Sequence, residues 1–223
     1  MALLNRMGDF LHRTGYADLP EAVVDCAKLR IIDFLSAAFS GYRSGLHRPV
    51  LRVHQGSAGA RRATLIAEGV KMPWPHAALV NSGMCPADMA DGSRFASLHP
   101  SPIVIPAALA AFEAHASRGK GPDGRDLLTA IVLGYELMIR VGQVMNPSAV
   151  KRGFHLTSIV GPLASAAAAG KIMNLDASRL TNALSIAGTL GGGLFDAFKA
   201  PEPFVEIQIA RACEAGTFAA SMA

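Results

Sequence analysis

Cysteine, aromatic rings and charge are all in short supply in this chain. The three cysteines, Cys26, Cys85 and Cys213, are odd in number, far apart and without the paired spacing of a zinc or iron–sulfur site. That excludes a disulfide framework and points to buried thiols in a reducing compartment. Aromatic residues are 6% of the chain, too few for a base-stacking platform, and the basic residues behind the net charge of +4 are scattered. Nucleic acid is therefore not expected as a partner. Charged residues are only 17% and hydrophobic ones 51%, a balance that excludes disorder and is unusually apolar for a lone monomer. A buried interface, most simply that of a homodimer, accounts for the surplus.

Long uncharged apolar runs are missing as well. No stretch reaches the roughly 18 residues that a spanning helix needs. The nearest, LTSIVGPLASAAAAG at 156–170, is rich in Gly, Ser and Ala and reads as a close-packed helix, so no membrane is expected as a partner. The opening MALLNRMGDFLHRTG carries Asp9 inside its apolar pattern and no small-residue cleavage site, unlike a secretory signal. The expected address is cytoplasmic.

What the sequence does have is helical period. In LPEAVVDCAKLRIIDFLSAAFSG, Asp18 can cap, Pro20 can sit in the first turn, and Val23, Ala27, Ile31, Leu35 and Phe39 recur on one face until Gly41 stops the helix. In DGRDLLTAIVLGYELMIRVGQVM, Leu127, Ile131, Tyr135 and Ile139 align, and Glu136 and Arg140 form an i,i+4 pair. Further helices are predicted over 75–85, 103–117, 156–173 and 177–190, the last capped by Asp176 or Ser178. Only ATLIAEG near residue 65 reads as a strand. The breakers GKGPDG and NPSAVKRG are too short for domain linkers, so residues 1–223 are expected to form a single all-α domain. FVEIQIARACEAGTFAASMA keeps its helical pattern to the last residue, as expected of a domain cut from a longer chain.

The stretch DMADGSRFASLHPSPIVIP, residues 88–106, breaks this apolar background with two acids, an arginine and a histidine. A solvated connector would have that composition, and so would an active-site wall. Asp88 and Asp91, at i,i+3, suit helix capping as well as chemistry. His99 stands before a proline where a loop enters a buried helix. His155 precedes Leu156 at a predicted helix N-terminus, where a neutral imidazole is favoured over a charged one. Arg94 is either a surface charge or a bidentate clamp for a carboxylate. His12, His47, His54, His76 and His115 have no partner acid suggested by spacing and are assigned as structural or exposed. Gly191, Gly192 and Gly193 lack the preceding strand and following Lys-Ser or Lys-Thr of a phosphate loop, and fit a hinge or a close backbone approach.

In order along the chain, DLPEAVVDCAKLRIIDFLSAAFSG, HAALVNSGMCPADMADG, HPSPIVIPAALAAFE, AIVLGYELMIR, GFHLTSIVGPLASAAAAGKIMNL, NALSIAG and RACEAGTFAASMA together resemble the N-terminal helical domain of the MmgE/PrpD family. That family includes 2-methylcitrate dehydratases, cis-aconitate decarboxylases and iminodisuccinate epimerases. The resemblance implies a large, dimerising all-helical domain, normally followed by an α+β lid domain that is absent from this chain. It implies a lyase or isomerase acting on a small di- or tricarboxylate without metal or organic cofactor.

Such chemistry removes a weakly acidic proton beside a carboxylate, and so calls for a base, a hydrogen-bonding or cationic partner for the developing charge, and an acid for the leaving group. By the resemblance, Asp88, His99 and His155 are the catalytic candidates, and Asp91, Arg94 and Lys199 the substrate-binding ones. Dehydration or hydration ranks first, ahead of decarboxylation and epimerisation. Two departures stand out within KAPEPFVEIQIARACEAG: Val205 occupies the place of a family lysine and Gln208 that of a histidine. In the D-x-D-D-T/G loop the middle acid is Ala90, and Gly92 stands where threonine is common. The departures imply a different substrate or reaction, with Lys199 or Arg94 as replacement cation. Two other readings compete: a non-catalytic helical dimerisation module, and a metal hydrolase using Asp88, Asp91, His99 and His155, whose spacing matches no recognised ligand pattern.

Overall fold

The computed structural model describes residues 2–45, 47–54, 56–57, 59–60, 62–85, 91–93, 96–116, 121–200 and 205–223. Asp88, Ala90 and Arg94 lie outside the described residues. The helices are α1 (Leu3–Arg13), α2 (Glu21–Ser44), α3 (Arg48–His54), α4 (Trp74–Gly83), α5 (Ser101–Ala116), α6 (Gly124–Met145), α7 (Ser148–Lys151), α8 (Leu156–Ile172), α9 (Ala177–Thr189) and α10 (Val205–Met222), with 3-10 turns at Tyr16–Asp18 and Phe195–Lys199. The predicted strand shrinks to Ala63–Thr64, β1, paired antiparallel with Lys71–Met72, β2. The domain is all-α, as the periodicity predicts.

Helix α8 is the centre of the packing. It is covered by α10, α6, α5 and α9, and none of its residues is exposed. A helix apolar all round must be buried, and its small residues let the neighbours approach closely. A Cβ on Gly161 would sit 3.0 Å from both Ala212 of α10 and Ile103 of α5. Ser165 turns its hydroxyl back to Gly161 O and across to Ala212 O, each at 3.1 Å, so its polarity is satisfied inside the core. Helix α6 is long and apolar enough by composition to cross a membrane. In this fold it is a bundle helix packed on α8, α5 and α2.

Helices α6 and α9 start for legible reasons. Asp123 caps α6, accepting from the N–H groups of Arg125 and Asp126, while Asp126 closes the capping box. Asp176 caps α9 through Arg179 N–H.

Helix α2 corrects the sequence reading in three ways. Asp18 caps the preceding 3-10 turn by accepting from Gly15 N–H, and Pro20 is the N-cap of α2. The helix continues past Gly41 to Ser44 and stops at Gly45, whose φ of 77° is the left-handed conformation that glycine adopts without penalty. Its buried face is Val24, Ala27, Phe34, Ala38 and Gly41, whereas Val23 and Phe39 are exposed. The i,i+4 count chose an adjacent stripe because α2 is apolar on more than one side. Cys85 and Cys213 are buried as predicted, but Cys26 is exposed, and none forms a disulfide.

Candidate active site

Two loop-to-helix junctions meet at the N-terminal end of α8. The first is the segment that enters α5. There the Asp91 side chain, 6% exposed, accepts from Ser101 N–H at 2.8 Å through Oδ1 and from the Tyr135 hydroxyl at 2.9 Å through Oδ2. Arg30 of α2 stands 3.9 Å from the same Oδ2. Burial, and then the Asp91 carboxylate, push the Tyr135 phenol well above its ordinary value, so it remains a donor.

His99 is fixed by this segment and by α8. Its N–H donates to Thr157 Oγ1 at 3.2 Å, and its Nδ1 lies 3.0 Å from the carbonyl oxygen of Asp91. A carbonyl can only accept, so Nδ1 carries the proton, and the neutral ring keeps its lone pair on Nε2. The second junction brings His155, which occupies the N-cap position of α8 without capping it through its side chain. Its N–H donates to Gly193 O at 3.0 Å, and its Nδ1 lies 2.8 Å from Ser158 Oγ. Phe195 and Phe198, from the 3-10 turn, set their rings edge-on to the imidazole with centroids 5.7 and 5.3 Å away.

The electrostatics follow from this packing. Burial, and secondly the neighbouring His99, push His155 down to about 4, and the positive end of α8 acts in the same sense. At neutral pH the site therefore holds a buried neutral His155 imidazole beside a second imidazole whose Nδ1 is tied to a backbone carbonyl.

The remaining predicted residues are placed as follows. Lys199 ends the 3-10 turn one residue beyond Phe198, its side chain 80% exposed and paired with Asp196 at 2.6 Å. Val205 is buried at the start of α10. Gln208 donates to Leu194 O at 3.3 Å, and its buried Oε1 has no hydrogen-bond partner among the described residues. The glycine run is a close approach: a Cβ on Gly191 would meet Ile159 O at 2.6 Å.

Sequence reasoning missed Tyr135, which reads as a core residue on an apolar stripe, along with Arg30, Thr157, Ser158, Phe195 and Phe198. The two hydroxyls, two and three residues beyond His155, were the available signal. It also left His47 and His76 without acids, whereas Glu68 lies 3.5 Å from His47 and Glu214 lies 3.7 Å from His76. Among the described residues the group able to hold a metal ion is His54, His76 and Glu214.

The family model of the MmgE/PrpD N-terminal domain matches residues 5–223. The chain belongs to the MmgE/PrpD family. Its curated relatives include the cis-aconitate decarboxylase of Aspergillus terreus, 31% identical over 182 residues that make up 81% of this chain and 37% of the relative. The cis-aconitate decarboxylase of Homo sapiens is 28% identical over 184 residues, 82% of this chain and 38% of the relative. The chain thus spans less than two fifths of the length of these relatives. Membership places it in a lyase family of dehydratase and decarboxylase type.

Proposed function

We propose that this domain supplies the proton-transfer groups of a cofactor-independent lyase for small di- or tricarboxylates. The carrying observation is the His99 tautomer: Nδ1 is tied to the Asp91 carbonyl, and Nε2 is left as a base beside a histidine held neutral. In dehydration, His99 Nε2 takes the proton next to a carboxylate and the C–H electron pair becomes the new C=C bond. The C–O bond breaks as that double bond forms, and the hydroxyl leaves as water with a proton from the site. His155 hydrogen-bonds the developing charge, and Asp88 orients a histidine. Both carboxylate oxygens of Asp91 are already engaged, so Asp91 acts by holding the His99 segment. Arg94 and Lys199 are the candidate cations for a substrate carboxylate.

Decarboxylation is the second reading, favoured by the relatives named cis-aconitate decarboxylases. There the C–C bond breaks, carbon dioxide leaves, and the carbon that keeps the electron pair is protonated by the same histidines. We further propose a homodimer. Leu29, Ile32 and Phe39 are 65%, 63% and 49% exposed on the outer side of α2, and at spacings of three and seven they form one apolar stripe that a second copy would bury.

The test is exchange of solvent deuterium into 2-methylcitrate and related tricarboxylates, which reads proton abstraction without requiring complete turnover. Exchange is expected with the parent and should be lost in His99→Gln. Exchange that persists in both His99→Gln and His155→Gln overturns the assignment. For the departures at Val205 and Gln208, weak turnover of 2-methylcitrate and cis-aconitate is expected. Robust turnover of either, unaffected by Lys199→Met and Arg94→Met, overturns the idea of a changed substrate.

A further inference from the structure

Away from the histidine pair, α3, α4 and α10 bring three more ligating groups together. His54 closes α3 and lies against His76 in the first turn of α4, with ring centroids 4.7 Å apart and planes inclined by 45°. Glu214 of α10 points at the same place, its Oε1 3.7 Å from His76 Nε2. One ligand atom from each of the three falls within 4.8 Å of the others. The carboxylate–imidazole separation is too long for a hydrogen bond, and two imidazole rings side by side do not satisfy each other's nitrogens.

We propose that His54, His76 and Glu214 bind one divalent transition-metal ion of the zinc class. Two imidazole nitrogens and a carboxylate oxygen are a ligand set for zinc and its neighbours, whereas magnesium and calcium take oxygen ligands. With metal–ligand bonds of about 2.0–2.1 Å, tetrahedral donors stand roughly 3.4 Å apart, close to the spacing already present between His76 and Glu214. Arg211 binds the other carboxylate oxygen of Glu214, which turns Oε1 toward the imidazoles in the way outer-shell partners orient metal ligands.

Space for a further ligand is present. His76, Glu214 and Arg211 line a cavity of about 510 Å³ whose wall also includes Ser158 and Gly192. A water molecule completes the coordination from that side. The three ligands come from three helices far apart in sequence, so the ion cross-links α3 and α4 to α10, and through α10 to the central α8. The lyase step proposed above does not pass through this ion.

The experiment uses the 223-residue protein, stripped of metal by chelator and titrated calorimetrically with zinc chloride. Uptake of one zinc ion per chain and a rise in Tm are expected. His54→Gln and Glu214→Gln, each removing a direct ligand, should each lose most of the zinc affinity, and His115→Gln, outside the cluster, should bind like the parent. Cobalt(II) bound to the parent supplies a readout that does not depend on any variant folding: the ring protons of His54 and His76 should be shifted by the paramagnetic ion. Absence of saturable zinc uptake by the parent, unchanged affinity in both cluster variants, or cobalt that leaves those two rings unshifted would overturn the proposal.

Discussion

The hydroxyl of Tyr135 donates to Asp91 Oδ2 at 2.9 Å, which ties the middle of α6 to the segment that carries His99. Residues separated by 44 positions are thereby made into one support: Asp91 holds the start of α5 through Ser101 with one oxygen and α6 with the other, and its carbonyl sets the His99 tautomer. Tyr135→Phe removes a hydrogen bond to a charged acceptor and should destabilise the fold by about 1.5–3 kcal/mol, measured by urea unfolding. Asp91→Asn keeps an acceptor for Ser101 and a partner for the phenol, so it should cost less than Asp91→Ala. Equal losses in Asn and Ala variants would show that this bonding pattern is not what holds the segment.

The buried His155 makes stability depend on pH in a defined direction. Its value falls from 6.5 in the unfolded chain to about 4 in the fold, through burial first and His99 second. The unfolded state therefore binds the extra proton between these values, so the stabilising contribution is complete above about 6.5, declines as pH falls toward 4 and levels off below it. The full span corresponds to about 3 kcal/mol. Urea midpoints measured from about pH 7 to about pH 4.5 should fall in the parent and fall less in His155→Gln. Parallel slopes would show that other groups carry the acid sensitivity.

Most of the helices were legible because period and caps agree. Asp176 announces α9, the i,i+4 stripe from Leu127 announces α6, and the Ala-rich 156–170 stretch becomes the buried centre that its small residues require. The facing of α2 was not legible, because apolar residues lie on both its inner and outer sides and a count of i,i+4 matches cannot tell core from outer stripe. At the site, His99 and His155 could be picked out by the family resemblance, their junction positions alone fitting structural roles as well. Tyr135 could not, since its ring obeys the core pattern and only its hydroxyl contributes to the site. The His54, His76 and Glu214 cluster was hidden for a different reason: its members come from three helices, and no spacing along the chain encodes their meeting.

The outer stripe of α2 gives the dimer proposal a sharp substitution. Ile32 is 63% exposed, so a charge there costs the isolated fold little, whereas at the centre of an apolar interface it would be desolvated without a partner. Ile32→Lys should therefore lower the mass seen by light scattering at micromolar concentration while leaving helical content unchanged. A monomeric parent, or a variant that still dimerises like the parent, would count against α2 as the interface.

Gly193 should be among the least replaceable positions near the site. Its φ of 148° is a conformation that side-chain-bearing residues rarely adopt, and an added Cβ would lie 2.5 Å from Gln208 Oε1 and 2.6 Å from Ser158 Cβ. Its carbonyl also accepts the His155 N–H. A methyl group must therefore displace the residue that bonds the His155 ring, the side chain of Gln208 on α10, or the Gly193 carbonyl itself. Backbone strain alone predicts a loss of about 1–3 kcal/mol for Gly193→Ala. Because the displaced groups border His155, its ring resonances should shift by NMR even where the fold survives. Gly192→Ala is the control, since its Cβ would meet nothing within 4 Å. Should both variants unfold at the same urea concentration with unchanged His155 signals, the close approach of Gly193 to the site would be unnecessary to its architecture.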